Sequence, residues 1–153
     1  MNRSKLATAL ALLALAGCAA SQQGVGSASM STRTVVVNVV NGVITVPEDP
    51  ASLFANNGAI KWVFGSDPSG FVFPADGIKF EANPRTPPAS LGCRSFPDPD
   101  TVFRNCAPRQ RGTEFHCNKT GPHVVDACFK YSVKVEPVGG GAPIVVDPWV
   151  RTK

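Results

Sequence analysis

The chain has 153 residues, enough for one domain and too few for two. Its formal charge of +4 comes from 15 basic and 11 acidic side chains; without Arg3 and Lys5, which lie in a candidate leader, 13 basic groups remain and the balance is +2. That near-neutrality argues against nucleic acid as the main partner, and 14 glycines and 14 prolines among 43% hydrophobic residues predict short apolar runs separated by turns, the signature of an all-β domain.

Residues 1–17 have three parts. Arg3 and Lys5 give a positive start, Leu6 to Leu15 is apolar apart from Thr8, and Ala16-Gly17 places small side chains before Cys18. Ten residues at a helical rise cover about half of a ~30 Å hydrocarbon core, so the segment predicts an export signal and not a lasting membrane span. The run Leu15-Ala16-Gly17-Cys18 resembles the lipobox of bacterial lipoproteins. That resemblance covers four residues, and it implies diacylglycerol on the Cys18 thiol, cleavage between Gly17 and Cys18, and acylation of the new amine. More than one acyl chain is what stable anchoring requires. In that family an Asp after the cysteine favours inner-membrane retention; Ala19 here implies the outer membrane of a Gram-negative cell, with the domain facing the periplasm. The alternative is ordinary secretion, with cleavage after Ala16 or Ala20.

Residues 18–32 are small, polar and aperiodic, and read as a tether, with Met30 structurally idle. The domain is expected over 33–153. Thr34 to Val40 and Val43 to Val46 predict two strands joined at Asn41-Gly42, a pair suited to a type I′ turn. Pro47-Glu48-Asp49-Pro50 ends that hairpin. Ala59 to Phe64 predicts a strand with Ile60, Trp62 and Phe64 on one face, Trp62 and Trp149 being core or domain-closing residues. Asp67-Pro68-Ser69-Gly70 is a turn, Phe71 to Pro74 a short strand, Asp76-Gly77 a turn, and Ile78 to Glu81 a further short strand. From Asn83 to Arg111 six prolines and no clear period predict a long irregular loop. Regularity returns at Thr113 to Cys117. From Cys128 to Glu136, Phe129, Tyr131, Val133 and Val135 alternate with polar residues, as a strand with one buried and one wet face requires. Gly139-Gly140-Gly141 is a break, Pro143 to Val146 a last short strand, and Asp147 to Val150 closes the domain.

Four cysteines besides Cys18 predict two disulfides in an exported chain. Three pairings are open. The favoured one joins Cys93 to Cys106, stapling the irregular loop, and Cys117 to Cys128, joining neighbouring strands. The fold expected from these elements is a small Greek-key β-sandwich, cupredoxin-like or immunoglobulin-like, with a long irregular loop and two disulfides.

Glu114-Phe115-His116-Cys117, His123 and the strand Phe129 to Val135 resemble, in strand order and spacing, the end of a cupredoxin. The resemblance implies the sandwich fold and not the copper chemistry. A blue-copper site needs two histidines, a thiolate and a weak axial group, yet no histidine precedes His116 and no methionine follows Met30. No metal and no cofactor are therefore expected, with His116 and His123 as surface or packing residues.

Catalytic patterns are missing too: no serine stands in a nucleophile elbow, and Asp98 and Asp100 fall in a Pro-flanked turn where Asp commonly caps backbone. No enzyme activity is expected. The suggestive feature is Arg85, Arg94, Arg104, Arg109 and Arg111 in the irregular stretch, against only Asp98 and Asp100. Arginine forks suit carboxylates and phosphates, so this loop is the candidate binding surface for an envelope protein or an anionic glycan; the competing reading is a solvated loop. Other readings are a structural accessory subunit that uses the sandwich edges, and a metal-binding cupredoxin-like site with reduced cysteines.

Overall fold

The computed structural model describes residues 30–65, 70–82 and 87–153. The expected leader, Cys18, most of the tether, the Asp67 to Ser69 part of a turn and Arg85 lie outside the described residues.

The described chain is nearly all β and forms two sheets. In the first sheet the order is β2-β1-β4-β8-β7, with β1 at Ser31–Val40, β2 at Val43–Thr45, β4 at Asn57–Phe64, β7 at Phe103–Arg109 and β8 at Glu114–Lys119. The second sheet is built on β9, Cys128–Pro137. The strands β6 (Ile78–Phe80) and β10 (Ile144–Val146) both register on Val133, so they flank opposite edges of β9. The short β5 (Phe71–Val72) and β11 (Trp149–Thr152) complete those edges, and β3 (Ala51–Leu53) joins β11 in parallel. The chain passes repeatedly between the sheets, so β1 lies parallel to β4 instead of beside its sequence neighbours alone.

Alternation explains the core. Val35, Val37, Ile60, Trp62 and Phe115 point inward from the first sheet, and Phe129, Tyr131, Val133 and Val135 from the second; all are buried. Trp62 sits at the centre, its ring 5.4 Å from that of Tyr131. Phe80 and Phe103 stack at 4.2 Å, and Phe64 and Phe73 at 4.5 Å. Such aromatic pairs add to the simple removal of apolar area from water. The Asn41-Gly42 turn has φ of 51° and 75°, both positive as a type I′ hairpin needs.

Four expectations need correction. First, β1 begins at Ser31 and takes the last two residues of the expected tether into the sheet, where the Ser31 N–H donates to the Asn56 carbonyl at 3.0 Å. Second, the stretch Asn83 to Arg111 is not irregular throughout, because β7 occupies Phe103–Arg109. Pro108 disguises it in the sequence, yet β7 lies at a sheet edge, where a missing N–H costs little. Third, Ile144–Val146 is not the last strand: β11 follows it at Trp149–Thr152, pairing antiparallel with β9 and parallel with β3.

Fourth, the disulfides are Cys93–Cys128 and Cys106–Cys117, not Cys93–Cys106 and Cys117–Cys128. Cys117 and Cys128 lie on strands of different sheets. Cys106 instead faces Cys117 across the β7–β8 pair, with Cα atoms 4.1 Å apart. Cys93 is brought to Cys128 because its segment runs beside the start of β9: the Arg94 N–H donates to Asp126, and the Cys128 N–H to Ser95. Closing 35 and 11 residues, the two bonds stabilise by roughly 4 and 3 kcal/mol in the chain-entropy model.

Candidate functional site

The arginine-bearing segment divides into two parts. Arg104 pairs in register with Asn118, and Arg109 with Glu114, on the neighbouring strand β8. Phe115 and Cys117 of β8 are buried, so Asn118, His116 and Glu114 face outward. Five residues apart on a regular strand, Arg104 and Arg109 would point to opposite faces. A register shift between Arg104 and Ala107 inserts one extra residue, with Asn105 at φ 54°, and brings both arginines to the outer face. They stand about 13 Å apart, from four strand residues of rise. Arg111, also exposed, follows at the β7–β8 connection with φ 60°.

Beside them on the same face, Glu114 is engaged by other side chains. The His116 Nε2 lies 2.8 Å from one of its oxygens and the Lys61 Nζ 3.9 Å from the other. Among the described residues Arg104, Arg109 and Arg111 make no ion pair. Among the described residues β7 also has no strand on its outer side, so its backbone edge is free.

Arg94 belongs elsewhere. Its Nε lies 3.3 Å from one carboxylate oxygen of Asp126, while Arg151 donates to the other from Nη2 at 2.5 Å and from Nε at 3.2 Å. The Arg151 hydrogen bond, with Arg94 adding to it, holds the Asp126 carboxyl below the usual carboxylate range. Arg94 thus joins a network that ties the Cys93 segment to β11, away from β7. Arg85 lies outside the described residues.

The histidines do not share a site. His116 is on the outer face of β8, whereas the His123 Nε2 lies 2.9 Å from the Lys153 carbonyl at one end of the sandwich. The Cys117 sulfur is bonded to Cys106 and buried, so it is not a thiolate, and the residues present do not fit a cupredoxin copper centre. Among the described residues no three His, Cys, Asp or Glu side chains are grouped to hold a metal. Asp98 acts as a cap, accepting the Asp100 N–H at 3.0 Å.

One feature had no signal in the sequence. Between the edges of β6 and β7 an open cleft of about 740 Å³ is lined by Ile78, Phe80, Phe103 and Cys106, with Lys79, Glu81, Asp100 and Ser132 also on its walls. It exists because two edges from different sheets meet there, a relation that only tertiary pairing creates. Neither the scan against protein-family models nor the search of curated proteins found a match for this chain.

Proposed function

We propose that the protein is a non-enzymatic envelope protein, anchored by lipid on Cys18 in the outer membrane and facing the periplasm. Its β-sandwich binds an anionic partner, a carboxylate- or phosphate-bearing protein or glycan, through Arg104, Arg109 and Arg111. The observation that carries the binding reading is that Arg104, Arg109 and Arg111 are exposed on β7 and its connection to β8, with no ion pair among the described residues. Guanidinium forks give such anions two parallel hydrogen bonds. Export is supported by the two disulfides, which persist in oxidising compartments, and by the residues Leu15 to Cys18.

The test compares the full lipidated chain with its Arg104→Ala, Arg109→Ala, Arg111→Ala triple variant in capture from solubilised envelopes of the producing cell. Capture of the partner is expected to fall about tenfold or more in the triple variant, and to weaken for wild type as salt is raised. Equal capture by both chains contradicts the arginine reading. That β7 has no outer neighbour among the described residues favours a second reading, an accessory subunit that takes a partner's strand onto that edge. Retention of the partner by the triple variant is the result that favours it.

A further inference from the structure

The described chain begins at one end of the sandwich, which exposes apolar side chains, as the β1–β2 hairpin does with Val40 and Val43. Four segments converge there: Met30 ahead of β1, the β3–β4 turn at Phe54 to Asn56, the β8–β9 connection at Thr120 to Ala127, and Lys153 after β11. Backbone hydrogen bonds fasten them to one another. The Ser31 N–H donates to Asn56 at 3.0 Å, and the Lys153 N–H to Leu53 at 2.9 Å. The Asp126 N–H donates to Thr152 at 3.1 Å, and the Thr152 hydroxyl donates to the Val124 carbonyl.

What these segments present is apolar. Met30 is 72% exposed, Phe54 47%, Val124 39% and Val125 60%. Cations border them: Lys119, whose Nζ reaches the Ala55 carbonyl at 3.5 Å, and the exposed Lys153. Asp126, the acid of the β8–β9 connection, is already matched by Arg151 and Arg94. Exposed large apolar side chains on loop tips, rimmed by lysine, are the pattern of a surface that enters the headgroup layer of an anionic bilayer.

We propose that this end of the domain docks on the membrane, with Phe54, Val125 and Met30 in the interface and Lys119 and Lys153 on acidic phospholipid headgroups. The occupant follows from where the undescribed chain joins. Residues 19–29 separate Met30 from Cys18, and so short a segment reaches at most about 40 Å. Lipid on Cys18 therefore tethers the domain by this end, and the high effective concentration of bilayer beside it lets modest apolar contacts suffice. The Asn41-Gly42 tip lies about 30 Å away along the ten residues of β1, and with this end docked it points away from the bilayer. The inference rests on the anchoring reading, since the anchor supplies that nearness.

The experiment uses the full lipidated chain in vesicles of phosphatidylethanolamine and phosphatidylglycerol carrying brominated acyl chains, which quench tryptophan at close range. Val125→Trp places a reporter at the docking end, and Val43→Trp places one at the far tip, where Val43 is equally exposed. Native Trp62 and Trp149 are buried and supply a constant background. The Val125→Trp emission is expected to fall by about half and the Val43→Trp emission to stay unchanged. Changing Lys119→Glu and Lys153→Glu as well is expected to cut the quenching about threefold. No quenching at Val125→Trp while the chain floats with the vesicles overturns the docking. Mass spectrometry of the Cys18 peptide reports the anchor separately. If that peptide carries no lipid, the anchoring reading fails, and the docking is then decided by adding the same vesicles to the free chain: quenching at Val125→Trp supports it, and its absence overturns it.

Discussion

Asp126 has a backbone φ of 60°, and its two carboxylate oxygens receive Arg151 and Arg94. Its acid form is disfavoured mainly by the Arg151 hydrogen bond. A carboxyl held below its unfolded value contributes stability that is present at neutral pH and is lost as pH falls through the folded value. Wild type is therefore expected to lose stability on acidification below about pH 4 more steeply than Asp126→Asn. Asparagine tolerates the left-handed backbone, so the comparison isolates the charge. Urea midpoints measured from pH 7 downward should show a gap that closes on acidification, and a gap that stays constant sets the charge argument aside. This residue also shows why the five arginines could not be sorted by sequence. Arg94 looks like Arg104 in a row of letters, and its partner lies 32 positions away in a different connection.

The Asn41-Gly42 turn was legible, because a two-residue turn between β-branched runs is decided by local backbone preference. A methyl group at Gly42 would meet nothing within 4 Å, so its effect is backbone strain alone. Gly42→Ala is expected to cost about 1 kcal/mol in chemical denaturation, with no change in the folded spectrum. The strand β7 was illegible for the opposite reason. Its Pro108 and its bulge break the local pattern, and only pairing with β8 makes it a strand. The same pairing selects Cys106–Cys117 over the sequence-proximal choice. A peptide map without reduction should recover Cys106 linked to Cys117 and Cys93 linked to Cys128. Replacing Cys106 and Cys117 by Ala should lower stability by about 3 kcal/mol, and replacing Cys93 and Cys128 by about 4 kcal/mol. A larger loss from the shorter loop would contradict the chain-entropy account.

At the scale of the molecule, the all-β class and two-sheet core were readable because alternation in Cys128 to Glu136 and Ala59 to Phe64 marks which side is wet. Sheet order, the cleft between β6 and β7 and the cationic edge were not, since each depends on which distant strands become neighbours. On the proposed reading, anchor, sandwich and cationic edge make a protein held at a membrane by one end that offers guanidinium groups from its flank. All of it depends on export and capture of Cys18 by lipid. The direct measurement is the intact mass of the chain extracted from membranes of the producing cell. The expected mass starts at Cys18, carries diacylglycerol and a fatty acyl group, and lacks four hydrogens for two disulfides. A mass that begins at Met1, or four free thiols, would contradict the account.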